Sequence, residues 1–156
     1  MPLAAFGGPR AIMEQMAPLG PVYQAGTLSG NPVATACGLA TLKEISKPGF
    51  FADLSAKTQR LVAGLKEAAA AEGVAFSADS QGGMFGFFLL PELAQNYGQV
   101  MKSDSPRFNK LFHGLLDRGV YNAPALYEAG FVSAAHSEQD LADTVAAARE
   151  VFKTLN

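Results

Sequence analysis

Apolar and polar positions along this chain follow two rhythms, one helical and one extended. Over residues 50–72 the apolar side chains Phe51, Leu54, Leu61, Leu65 and Ala68 fall three, four or seven apart. That spacing gathers them on one face of a helix. Gly73 follows as a helix stop. Residues 32–46 read as another helix, with Asn31 as its cap, Pro32 at its first position and Lys47-Pro48-Gly49 as its end. Ser105-Pro106 opens a helix to about Arg118, closed by Gly119. Ser137 caps a last one to Leu155, with Glu138, Asp140 and Asp143 near its positive end. A short helix is expected over residues 9–16.

The extended rhythm is weaker. Residues 74–77 and 84–90 read as strands around a turn at Gln81-Gly82-Gly83. Val120-Tyr121 and residues 131–135 are further strand candidates, and residues 91–104 read as a polar loop. The resulting order is helix-rich first, then β-β-α-β-β-α. It predicts an α+β layer, a small antiparallel sheet covered by helices on one face. A short strand is also expected over residues 2–6, ending at Gly7-Gly8, with no obvious neighbour. It reads as a piece of a different sheet, so the expected division is 1–48 and 49–156.

Composition narrows the classes. A chain of 156 residues with 49% hydrophobic content can bury a sizeable core. That apolar share also points to a partner surface. No apolar run approaches the roughly 18 residues of a membrane span, and the first eight residues lack the basic region of a signal peptide. The net charge of −2 comes from interspersed acids and bases, which gives no basic stripe for nucleic acid. One cysteine, Cys37, forms no internal disulfide and fits a reducing, cytoplasmic setting. Its place among small residues suggests packing in a core.

Two segments are candidates for chemistry. Tyr23-Gln24-Ala25-Gly26-Thr27-Leu28-Ser29-Gly30-Asn31-Pro32 puts glycines and hydroxyls before a helix N-terminus. Free amides, a hydroxyl and the helix dipole favour an anion such as phosphate. Read without further information, the segment is first an ordinary loop with an Asn-Pro helix cap, because hydroxyl-glycine loops are common. In Asn122-Ala123-Pro124-Ala125-Leu126-Tyr127-Glu128-Ala129-Gly130-Phe131, a lone Glu128 stands at the entry to an apolar strand. Such a carboxylate is paired, functional, or simply exposed in a turn. His113 and His136 have no partner at metal or triad spacing. Most of the seven lysines sit among polar neighbours, unlike an amine whose pKa is lowered by burial.

Residues 13–32, from Met13-Glu14-Gln15 through Gly26-Thr27-Leu28-Ser29-Gly30-Asn31-Pro32, resemble the glutamate-1-semialdehyde aminomutase family closely. The likeness continues through Gly82-Gly83-Met84-Phe85-Gly86-Phe87-Phe88, Phe112-His113-Gly114, Arg118-Gly119-Val120-Tyr121 and Tyr127-Glu128-Ala129-Gly130-Phe131-Val132-Ser133. The resemblance implies the C-terminal portion of a fold type I enzyme that uses pyridoxal 5'-phosphate and works as a homodimer. It implies that Gly26 and Thr27 reach the cofactor phosphate of the other subunit. Tyr23 would lie near the active site, and Glu128 would approach the substrate pocket. The cofactor-bearing lysine is expected before Met1, so no catalytic residue is expected in this chain and the chain alone is expected to be inactive. Ala4, Asn122 and Ala125 depart from the family's usual residues. Two other readings stay open: a non-enzymatic dimerisation or binding module, and part of a related aminotransferase.

Overall fold

The computed structural model describes Met1 and residues 3–155. The chain divides into two compact units, Met1–Pro48 and Gly49–Asn156.

The second unit is built around a long helix, α3 (Phe50–Ala71), and an antiparallel hairpin, β1 (Ser77–Gln81) and β2 (Met84–Phe88). A two-residue strand, β3 (Gly130–Phe131), pairs antiparallel with β2 and completes the order β1-β2-β3. Strand residues alternate between faces. Phe85 and Phe87 therefore meet the helices, while Met84, Gly86 and Phe88 take the other face. Phe87 stacks on Phe76 with ring centres 5.3 Å apart and reaches Phe108 at 6.2 Å. Phe108 belongs to α5 (Ser105–Leu116). Phe76 also meets Phe152, on the last helix α6 (Glu138–Phe152), edge-on at 5.5 Å. One apolar cluster, including Leu61, Leu65, Leu111, Leu115 and Phe152, thus joins α3, α5 and α6 to the sheet. This is the α+β layer expected from the sequence, with three strands rather than four or more.

Helix ends explain one strand that begins later than the sequence suggested and one that does not form. Gly73 adopts φ +68°, its amide donates to the Ala70 carbonyl, and the next amide, Val74, donates to the Ala69 carbonyl at 2.9 Å. This is a Schellman closure, in which the apolar residue after the glycine packs back on the helix. Val74 is buried for that reason, and β1 begins later, at Ser77. Gly119 (φ +81°) and Val120 close α5 the same way, with the Val120 amide on the Leu115 carbonyl at 3.0 Å. No strand forms at Val120-Tyr121. The strand expected over 131–135 ends at Phe131; the Val132 amide still donates to the Gly83 carbonyl at 2.8 Å, and beyond it side chains take the amides of Ser133 and Ala135. His136 Nδ1 accepts from the Ser133 amide at 3.0 Å, and Ser133 Oγ accepts from the Ala135 amide at 3.1 Å. Within the expected loop 91–104, Asn96 caps a short helix, α4 (Tyr97–Val100).

Close helix approach depends on Gly114, where an added Cβ would lie 2.7 Å from Val151 Cγ1. Val151 is buried and stiff at χ1, so it cannot yield. In an exposed helix, Gly→Ala stabilises by up to about 1 kcal/mol. Here the sign is reversed: Gly114→Ala is expected to lower stability by about 1–3 kcal/mol through overpacking. Thermal unfolding followed by circular dichroism reads the difference, and a raised midpoint would contradict the packing.

The start of α6 is a capping box. Ser137 Oγ accepts from the Asp140 amide at 3.1 Å, and Asp140 accepts from the Ser137 amide at 2.6 Å. Those Ser137 bonds, backbone first, hold the Asp140 carboxyl below its ordinary range. Glu138 is likewise held low, chiefly by its hydrogen bond from Arg60. Both carboxyls are more acidic in the fold than in the unfolded chain. Their stabilisation is therefore present above about pH 4 and lost as pH falls through the lowered values. Asp140→Asn is expected to reduce the urea midpoint at pH 7 and to approach the native chain near about pH 2.5. An equal deficit at both pH values would contradict this.

The first unit is different in character. It holds α1 (Arg10–Met13) and α2 (Pro32–Ile45). Among its described residues Ala34 is the buried apolar side chain, while Phe6, Ile12, Leu19, Leu28, Leu39 and Leu42 are exposed. Leu3 to Phe6 join no strand, and Pro2 of the expected 2–6 strand lies outside the described residues. Cys37, expected in a core, is exposed on α2.

Candidate functional site

Residues 13–31 form two consecutive tight loops. In the first, the Val22 amide donates to the Gln15 carbonyl at 2.9 Å, and the Ala17 amide to the Val22 carbonyl at 2.8 Å. Gly20 is enclosed there, and a Cβ on it would overlap the Gln15 backbone. In the second, the Ser29 amide donates to the Gly26 carbonyl at 2.9 Å and the Asn31 amide to the Leu28 carbonyl at 3.1 Å. Gly30 takes φ +71°, a conformation that glycine adopts without strain. A Cβ on Gly26 would stand 2.9 Å from Ser29 Oγ, a contact that rotation of the serine hydroxyl relieves.

Asn31 Oδ1 accepts from the Val33 and Ala34 amides at 3.0 and 3.2 Å. The leading amides of α2 are thus satisfied by their own cap. An anion at this loop would have to draw on the Thr27 hydroxyl and on the turn around Gly26, with the dipole of α2 behind it. Tyr23, Gly26 and Thr27 lie on one exposed stretch, and Tyr23 is 80% exposed. The hydroxyl and amide donors of this stretch match the chemistry of a phosphate, and the stretch is exposed.

Glu128 belongs to the second unit. It lies in a turn closed by its own amide on the Ala125 carbonyl at 3.2 Å, and it is exposed. Of the readings left open by the sequence, this is the carboxylate exposed in a turn. Glu128 lines a hollow of about 350 Å³ on the open face of the sheet, with Asp79, Met84, Gly86, Phe88 and Tyr127. Nothing fills the space above Gly86 within 4 Å.

Lys57 is half-buried and donates to the Ala134 and His136 carbonyls, at 3.2 and 2.5 Å. The other lysines, Lys43, Lys47, Lys66, Lys102, Lys110 and Lys153, are exposed. Together with Arg60 on Glu138, Lys57 fastens the loop after β3 to α3. Local sequence carries no sign of this clamp, because the partners lie 77 to 79 residues apart. Among the described residues no cluster of three or more His, Cys, Asp or Glu could hold a metal. No helix among them is long and apolar enough to cross a membrane.

A small antiparallel sheet backed by helices, preceded by a glycine-hydroxyl loop, is the arrangement of a C-terminal subdomain of the fold type I transaminases. The aminotransferase class-III family model matches residues 1–138, and the chain belongs to that family. Its high-identity relatives are glutamate-1-semialdehyde 2,1-aminomutases. The one from Verminephrobacter eiseniae (strain EF01-2) is 79% identical over 155 residues, 99% of this chain and 36% of that protein. The one from Albidiferax ferrireducens is 76% identical over 156 residues, all of this chain and 36% of that protein. The chain therefore spans about a third of these relatives' length. Among solved structures, an omega-transaminase from Sphaerobacter thermophilus superposes with a TM-score of 0.79 at 22% identity, over 96% of this chain and 34% of that one. A beta-phenylalanine aminotransferase from Variovorax paradoxus gives 0.78 at 25% identity, over 90% and 33%.

Proposed function

We infer that this chain serves as one portion of a glutamate-1-semialdehyde 2,1-aminomutase, which isomerises glutamate-1-semialdehyde to 5-aminolevulinate for tetrapyrrole synthesis. The observation that carries this reading is the 79% identity over 155 residues to an aminomutase. The transaminases of the same fold stand at 22% and 25%. Pyridoxal 5'-phosphate, when bound, supplies the electron sink for the chemistry. The Thr27 hydroxyl and the turn at Gly26 hold its phosphate across the interface of a homodimer. Tyr23 borders the same site, and Glu128 faces the substrate. The exposed stretch at Thr27 and the exposed apolar side chains of Met1–Pro48 support this division of labour. Both need walls from polypeptide outside this chain, from the rest of the enzyme and from a second subunit.

The chain alone is not catalytic on this reading, because none of its lysines has the dry setting that a cofactor-bearing amine needs. Mixing the pure chain with pyridoxal 5'-phosphate and reducing with borohydride tests this. The expected mass spectrum shows no stoichiometric adduct confined to one lysine. A single, fully occupied lysine would contradict it and place a cofactor site within the chain.

A further inference from the structure

The turn that carries Glu128 is held at both ends. On one side Leu126 is buried in the apolar cluster. On the other, Gly130 of β3 pairs directly with Phe85 of β2. Between them the Glu128 amide donates to the Ala125 carbonyl. Among the described residues the Glu128 carboxylate takes part in no hydrogen bond or ion pair, so the backbone on either side is what aims it.

Gly130 is the tighter of the two anchors. A Cβ on it would overlap Phe85 Cζ and stand 2.6 and 2.9 Å from Cε1 and Cε2. The far end of the ring therefore occupies the place of a side chain, a close approach that glycine in a strand permits. An aromatic residue opposite a strand glycine covers it in this way. Gly130 is outside the left-handed region, so glycine is needed here for space and not for conformation. Phe85 has little room to make way. It is 6% exposed and belongs to the core cluster, where even one added carbon is felt. The part free to yield is β3, an edge strand of two residues. A shift of β3 would carry Glu128 with it, away from Asp79, Gly86 and Tyr127, with which it lines the hollow.

We propose that Gly130 is a positioning residue for Glu128. By admitting the Phe85 ring it draws the 125–130 turn onto the sheet and holds the carboxylate over the hollow. The inference rests on the reading that Glu128 faces the substrate. A misplacement of about 1 Å costs up to about a hundredfold at a reacting centre, and a smaller loss is expected at a binding contact.

Steady-state kinetics of the assembled, cofactor-loaded enzyme with glutamate-1-semialdehyde test this, with Glu128→Gln as the reference. Glu128→Gln is expected to raise KM about tenfold, the loss of one charged hydrogen bond. Gly130→Ala is expected to raise KM about threefold to tenfold, with kcat changed by less than about twofold and cofactor retention unaltered. The combined variant is expected to be no worse than Glu128→Gln alone, because both changes act on one contact. Phe85→Leu removes the Cε and Cζ atoms that meet the new Cβ. Joined to Gly130→Ala, it is expected to return KM to within about twofold of native, and this pair is the one to read if Gly130→Ala alone does not fold. An unchanged KM in Glu128→Gln would remove Glu128 from the substrate and overturn the proposal along with that reading. A raised KM there, beside a folded Gly130→Ala with native KM, would overturn the proposal alone, since the ring and not the strand would then give way. Losses that add in the combined variant, or that persist in Phe85→Leu with Gly130→Ala, would do the same.

Discussion

Truncating Phe152 to alanine is expected to cost the second unit about 3–5 kcal/mol, the range for removing a buried aromatic ring. Phe152 is 1% exposed and closes α6 against Phe76, whose ring in turn stacks on Phe87 of β2. Losing it removes transfer energy and leaves a hole in the core. Collapse around that hole is limited, because Leu111 and Val151 beside it are already buried to within 2%. Urea unfolding of Phe152→Ala against the native chain measures this. A loss below about 1 kcal/mol would mean that the core relaxes freely and that the aromatic chain through the unit is not what holds it.

The second large effect concerns Thr27. In an assembled enzyme, Thr27→Val keeps the shape of the side chain and removes its hydroxyl. A hydrogen bond to a charged group is worth about 1.5–3 kcal/mol, so cofactor affinity is expected to fall by about tenfold to a hundredfold. Dialysis against buffer without cofactor, followed by absorbance, reads the retained fraction. Asn31 gives the contrast. Its side chain caps Val33 and Ala34, so Asn31→Ala is expected to act first on α2, by about 1 kcal/mol, and on the cofactor only through it. Thr27→Val with unchanged retention would remove Thr27 from the phosphate site.

Local signals made much of the architecture legible. Asn31 and Ser137 cap α2 and α6 as read, and the capping needs only neighbours within three residues; α5 starts at Ser105 as read, with Asp104 as its cap. The same locality misled at Gly73-Val74 and Gly119-Val120, where an apolar residue after glycine reads as the start of a strand. In each pair the valine amide closes the preceding helix instead. The end of β3 was hidden because it depends on the His136 ring and the Ser133 hydroxyl, groups with no strand signature of their own. Cys37 looked buried because α2 is rich in small residues. Such a helix needs a neighbour; Leu3 packs on it at Gly38, while Val33, Leu39 and Leu42 stay exposed. For the candidate site, the motif from Tyr23 to Asn31 stood out by composition, while the bonds from Lys57 to the Ala134 and His136 carbonyls did not, because they join positions far apart in the chain.

The most direct measurement of the central claim is a replacement. The 155-residue stretch of the Verminephrobacter eiseniae aminomutase that matches this chain is exchanged for this chain's sequence, and 5-aminolevulinate formation from glutamate-1-semialdehyde is measured. The account predicts a dimeric, cofactor-loaded protein that isomerises within about tenfold of the natural enzyme, or about 1.4 kcal/mol in barrier. A dimer that holds the cofactor but forms no 5-aminolevulinate, or only exchanges amino groups with a keto acid, would contradict it.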